Sequence, residues 1–209
     1  MPEEKSSIYT KLLREGEQQS LKKVEQSRKW FRIKAAEVSK SKIVPTRIIQ
    51  EHDRVPIIKS PRQLGCLFLY NYAPKMKKEL PYYDTFPIVF PFKILKDGFL
   101  GLNLHYLPVQ YRAVLMDNLY SLINSTDMTE DTTRLAKLKY NVIESKRQLY
   151  LAYPCIHRYL NKQIRTPIAA IPPKEWELAL FLPLQRFQKK AETVVWKESI
   201  KSAKQRITQ

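Results

Sequence analysis

The stretch 81-PYYDTFPIVFPFKILKDGFLGLNLHYLP-108 narrows the possible folds more than any other part of the chain. Ile88, Phe90, Phe92 and Ile94 recur at a period of two, the spacing that lays one apolar face along an extended strand. Pro87 and Pro91 stand four apart, so the N–H groups they lack fall along one edge. That predicts an edge strand, or one whose other side alone is paired. The tripeptide 96-KDG-98 is a hairpin signal, and Leu100, Leu102, Leu104 and Tyr106 resume the alternation beyond it. Upstream, 64-LGCLFLYNY-72 places Cys66, Phe68, Tyr70 and Tyr72 on one face and Leu67 and Leu69 on the other. Three antiparallel strands in chain order therefore make a small meander, curled at Gly101.

Helical periods flank this centre. Residues 6–15 form a short helix closed by Gly16, and residues 17–39 a longer one with Val24, Phe31, Ala35 and Val38 on its face. The stretch 40–62 has three prolines and no clean period, as a linker or extended arm would. After Pro108, residues 109–124 carry Leu115, Leu119 and Leu122 on one stripe and Met116, Tyr120 and Ile123 on another. Asp127 with Glu130 opens a further helix, running to about Tyr150, with Leu135, Leu138, Val142 and Leu149 as its face. A helical piece over 154–163 precedes a strand, 164-IRTPIAAI-171. The segment 175–183 reads as a strand or a helical turn. A last amphipathic helix spans 184–204 with Phe187, Ala191, Val194 and Val195 inward.

These patterns predict an α+β protein: a small antiparallel, partly barrel-like sheet wrapped by helices, with basic helical N- and C-terminal extensions. The divisions are a basic arm and linker (1–62), an α+β core (63–183) and a basic amphipathic helix (184–209). No apolar run is long enough to cross a bilayer, and the N-terminus lacks a secretory pattern, so an intracellular or particle-internal protein is expected. Cys66 and Cys155 are isolated thiols, which fits buried small side chains in a reducing compartment better than a disulfide.

The 209 residues include 37 Lys+Arg and 20 Asp+Glu, a formal charge of +17. Residues 1–62 hold 15 basic and 8 acidic residues, whereas 63–124 hold only 6 and 4; the excess lies towards the ends. Such a balance favours a polyanion, nucleic acid first, through counterion release, or else acidic neighbours in an assembly. The clusters positioned for such contact are Lys22 and Lys23; Arg28, Lys29, Arg32 and Lys34; Lys75, Lys77 and Lys78; and Lys189, Lys190, Lys197, Lys201, Lys204 and Arg206. Tyr82, Tyr83 and His105, at strand ends, are expected to be exposed, while Phe68, Phe90 and Phe92 alternate as core residues do.

Catalytic signatures are missing. Four glycines leave no phosphate-cradling loop, and His52, His105 and His157 are scattered, with Cys155-x-His157 as their nearest approach to a ligand pair. No metal or cofactor is expected. Asp84, Asp97 and Asp117 do not form the collection a metal-dependent nuclease needs, and Asp84 is the best placed of them. Thr85 and Arg112 are the groups a metal-free ribonuclease barrel would use, which keeps a small nuclease as an alternative.

The string LPYYDTFPIVFPFKILKDGFLGLNLHYLP, then Arg112 on a Leu-rich helix, then IPPKEWELALFLPLQRFQKKAETVVWKES, with SIYTKLL…SRKWFR upstream, resembles virion proteins of contractile-tailed bacteriophages. These are the DNA end protector or head–tail completion proteins. The resemblance covers roughly residues 64–200. It implies a non-enzymatic structural protein at the head–tail or neck region that contacts or protects the packaged DNA end. A neck or baseplate connector without DNA contact is the alternative. The implied partners are other virion proteins (neck, tail or portal) in a symmetric oligomeric assembly, and double-stranded DNA ends, with no membrane. The implied location is the virion, and the host cytoplasm during assembly. Residues 1–62 and 184–209 would be the arms that knit neighbours together.

Overall fold

The computed structural model describes residues 57–58, 67–124, 140–145, 147–171, 176–181 and 184–208. The expected helices over 6–15 and 17–39, and the basic residues Lys22 to Lys34, lie outside the described residues, as does Cys66.

Period-two segments build the sheet. Strands β1 (Ile57–Ile58), β2 (Leu67–Leu69), β4 (Ile88–Leu95), β5 (Gly98–Asn103), β6 (Ile156–Leu160) and β7 (Ile168–Ile171) lie in the order β1-β7-β2-β4-β5-β6. Every pairing is antiparallel. The meander β2-β4-β5 is as expected, with Lys96 and Asp97 as the two-residue turn between β4 and β5. The short strands β3 (Tyr83–Asp84) and β8 (Phe187–Gln188) pair in a separate ribbon.

The expected edge strand takes a mixed form. β4 is interior to the sheet, but β2 covers only Ile88 and Val89, and the rest of β4 pairs with β5 alone. The register slips between Pro91 and Lys93, a bulge where the missing N–H breaks the ladder.

The sheet is not closed, yet it curls. Leu67, Leu69, Ile88, Phe90, Phe92 and Leu102 point to one core, and Phe68, Tyr70, Tyr72, Val89, Phe99 and Tyr159 to another. In the second core the Tyr70 and Tyr159 rings lie 5.9 Å apart, although β2 and β6 are three strand spacings, about 14 Å, apart in a flat sheet. Only strong curvature brings them together. A Cβ on Gly101 would lie 2.2 Å from Val89 Cγ1, and one on Gly98 only 1.8 Å from the Tyr159 carbonyl oxygen; both glycines admit close neighbours on this curve.

Helix α1 (Val109–Asn124) matches its expected span and buries Leu115, Met116 and Leu119. Three segments are corrected, and a fourth, 175–183, is decided between its two alternatives. Residues 154–163, expected as helix, contain β6, because Gly98 to Leu102 of β5 supply a full ladder. The helix expected to run to Tyr150 is α2 (Tyr140–Ser145) in its described part, followed by a 3-10 stretch, Arg147–Cys155, that buries Leu149. Residues 175–183 take the helical alternative as α3 (Trp176–Phe181), with Trp176, Ala179 and Leu180 buried at helical spacing. The last helix, α4, starts only at Glu192 and runs to Ile207, because Phe187 and Gln188 are held in β8. It buries Val195, Ser199 and Ala203, whereas Val194, expected inward, is 41% exposed.

Candidate nucleic-acid interface

The β3–β8 ribbon determines what the basic residues can do. Lys75, Lys77 and Lys78 are exposed on a turn just before β3, and Lys189 and Lys190 directly follow β8. Lys189 has φ 71°, a left-handed conformation rarely taken by a side-chain-bearing residue, and this turns the chain at the end of the strand. Its Nζ donates to the Lys78 carbonyl at 2.8 Å and the Leu80 carbonyl at 2.6 Å. Two clusters more than 100 residues apart in sequence thus form one clasped basic corner.

The remaining positions divide by partner. Lys190 pairs with Glu198 at 2.6 Å and stands 5.0 Å over the Tyr82 ring; Arg206 pairs with Glu144 at 3.0 Å and covers Tyr153 at 4.9 Å. Lys197, Lys201 and Lys204 are exposed and have no partner among the described residues. At three- and four-residue spacing they share one stripe of α4, opposite the buried Val195, Ser199 and Ala203. Among the described residues the stripe is a row of ammonium groups without a carboxylate partner, on a helix anchored from behind.

Beneath this surface the polar interior is committed to structure. Asp84 is 3% exposed and accepts four hydrogen bonds: Oδ1 from the Phe86 and Arg186 amides, Oδ2 from Asn103 Nδ2 and from His105 Nδ1 at 2.7 Å. Burial alone would raise its pKa, but His105 and the two amides outweigh it and hold the carboxyl below its ordinary value. His105, expected to be exposed, is buried, and desolvation lowers its pKa. It is therefore neutral, with Nδ1–H donating to a carboxylate. Tyr82 and Tyr83 are half-buried.

Arg112 is fully buried. Its guanidinium donates to the carbonyls of Leu107 at 2.7 Å, Leu180 at 3.0 Å and His105 at 3.5 Å, and to Gln185 Oε1 at 3.2 Å. Thr85 is tied to the Arg186 carbonyl by its amide and its hydroxyl. These groups brace the fold. Among the described residues no cluster of His, Cys, Asp or Glu could hold a metal ion. Cys155 is a free, buried thiol whose pKa burial pushes up.

Sequence reasoning missed a cleft of about 400 Å³ between the β3–β8 ribbon, β6 and α4. Tyr72, Tyr82, Tyr83, Tyr106 and His157 line it together with Glu198, Ser199 and Ser202. Tyr106 and His157 rings lie 4.1 Å apart, and burial pushes the His157 pKa down to about 4. The tyrosines were visible in the sequence, but their convergence was not, since β6 pairs with a strand 54 to 62 residues away and the ribbon pairs residues 103 and 105 apart.

A scaffold whose buried charges serve the fold, and whose exposed lysines face outward along a helix, defines a basic α+β protein. Residues 6–202 match the family described as Phage T4 terminal DNA protecting protein, and the chain belongs to that bacteriophage family. Comparison with curated proteins and with solved structures returns no match. Among the described residues no helix is long and apolar enough to cross a membrane.

Proposed function

We propose that this protein binds the ends of double-stranded phage DNA and shields them, as a non-enzymatic component of the virion at its head–tail region. The observation that carries this reading is the uncommitted row Lys197, Lys201 and Lys204, in a family described by protection of terminal DNA. Ammonium groups without carboxylate partners can neutralise phosphates and release counterions at no cost in broken ion pairs. The clasped corner of Lys75, Lys77, Lys78 and Lys189 adds charge, and the sequence clusters Lys22, Lys23, Arg28, Lys29, Arg32 and Lys34 would add more to the same partner. Asp84 and Arg112 contribute by rigidity, since both are buried and held in hydrogen bonds to the scaffold.

The test is binding to blunt linear DNA and to the same DNA circularised, over a salt series, together with protection of the linear form from an exonuclease. The expected result is tighter binding to linear DNA, steep salt dependence and protected termini. Weak binding, shallow in salt and indifferent to ends, overturns the proposal and indicates a neck or baseplate connector whose charge meets acidic proteins.

A further inference from the structure

We infer that the tyrosine-lined cleft receives the terminal nucleobase of a DNA end, unstacked from its duplex. The inference rests on the DNA-end reading above and names the contact that would tell an end from the interior of a duplex.

The cleft, about 400 Å³, lies within the range of small-ligand sites, large enough for one nucleobase. Its walls are largely aromatic. Tyr82 and Tyr106 stand 5.9 Å apart, Tyr106 and His157 4.1 Å, and the half-buried Tyr83 ring contacts no other aromatic ring among the described residues. Stacking on tyrosine suits any base, because every base has a π face. A protein that must recognise an end whatever its sequence needs that tolerance.

Two further features suit a base. Ser199 lines the cleft and is 2% exposed, yet its Oγ has no hydrogen-bond partner among the described residues. A hydroxyl both donates and accepts, so it can meet either kind of group on a base edge. Two cations stand at the rim, each in an ion pair: Lys190, over Tyr82, with the lining residue Glu198, and Arg158, itself a lining residue, with Asp97 at 2.9 Å. A phosphate flanking a bound base would compete with those carboxylates for them. Lys201 lies about 60° round α4 from Glu198, so the lysine row continues from this rim.

The energetics favour ends. A terminal base leaves one stacked neighbour, an internal base two, so extrusion costs least at a terminus. A base-sized aromatic cleft beside a phosphate-binding row therefore selects ends without reading sequence.

The experiment uses the full chain and blunt duplexes carrying 5-iododeoxyuridine either at the terminal position or one helical turn inward. Irradiation and peptide mapping follow. The expected result is that the terminal probe crosslinks to peptides containing Tyr82, Tyr83, Tyr106 or His157, and the internal probe does not. Terminal crosslinks confined to other parts of the chain overturn the inference. A second arm plugs the opening with Ser202→Trp and measures the ratio of linear to circular affinity, which should fall about tenfold, the scale of one lost base stack. An unchanged ratio in a folded variant removes the cleft while leaving DNA binding intact. Wild-type protein that binds both forms equally removes end selection. Wild-type protein that binds neither removes the DNA reading itself.

Discussion

Replacing Arg112 by Met should destabilise the protein severely, for reasons that can be worked from its contacts. The guanidinium is fully buried and joins the Leu107 and His105 carbonyls beside α1 to the Leu180 carbonyl in α3 and the Gln185 side chain ahead of β8. Burial pushes its pKa down to about 10, so it stays charged at neutral pH. Three of its four bonds are of good length, and a hydrogen bond to a charged group contributes about 1.5–3 kcal/mol net. Methionine fills similar volume but takes the guanidinium donors from the Leu107 and Leu180 carbonyls, while the His105 carbonyl keeps the Trp196 indole N–H at 2.9 Å. The site also loses its desolvated charge, which offsets part of the damage. The expected net loss is about 3–5 kcal/mol, the range for breaking a buried charged contact. With a urea slope near 2 kcal/mol per molar, the midpoint should fall by about 2 M. Urea titration followed by tryptophan fluorescence is a direct assay, since Trp196 lies 6.0 Å from the guanidinium. Arg112→Lys should recover less than half of the loss, because one ammonium cannot span carbonyls on three segments. If Arg112→Met unfolds at the wild-type midpoint, the brace is not what holds α3 and the β8 segment to α1.

Other outcomes follow from the same geometry. Changing Lys197, Lys201 and Lys204 together to Gln should reduce the slope of log affinity against log salt by about 2.7, at 0.9 per phosphate contact, with the thermal midpoint preserved; DNA titrations at several salt concentrations check this. Gly98→Ala should destabilise more than Gly101→Ala, at or above the 1–3 kcal/mol typical of overpacking. The new Cβ at Gly98 meets the backbone of Tyr159 at 1.8 Å, while the tightest contact at Gly101 is to the Val89 side chain at 2.2 Å; parallel denaturation curves decide it. Stability should fall on acidification. His157 takes a proton near pH 6.5 when unfolded but only near 4 when folded, so the unfolded state binds more protons between those values. The loss across that window is roughly 3 kcal/mol, with buried His105 acting in the same direction. Below about pH 4, protonation of Asp84 adds to it, because its folded pKa is depressed. Denaturation midpoints at pH 7.5, 5.5 and 4.5 measure the fall.

The meander and the first helix were legible because they are local. Alternation over Leu67–Tyr72 and Ile88–Leu102, the Lys-Asp-Gly turn and the 3.6-residue stripe of 109–124 each act within a few residues. The uncommitted lysines were legible as a cluster, since charge at three- and four-residue spacing needs only a helix to align it. What neighbours decide was not legible. Ile156, Tyr159 and Leu160 are spaced as a helix face, yet the open edge of β5 draws them into a strand. Phe187 continues the apolar period of α4, yet Asp84 accepts a bond from the Arg186 amide and Phe187 pairs with β3.

The family resemblance was readable from the sequence too, through its aromatic and proline-punctuated string. Sequence by itself determined the central meander, the helix over 109–124 and the sign and amount of charge, because these depend on residue type and short-range period. Tertiary structure decided which charges are spent and which remain. It buried His105 against Asp84 and Arg112 against carbonyls, clasped Lys189 to the 78–80 turn, and gathered tyrosines from three distant segments around one cleft. Hydrogen bonds such as those of Arg112 to the Leu180 carbonyl and of Lys189 to the Lys78 carbonyl join residues 68 and 111 positions apart, and no local pattern encodes them.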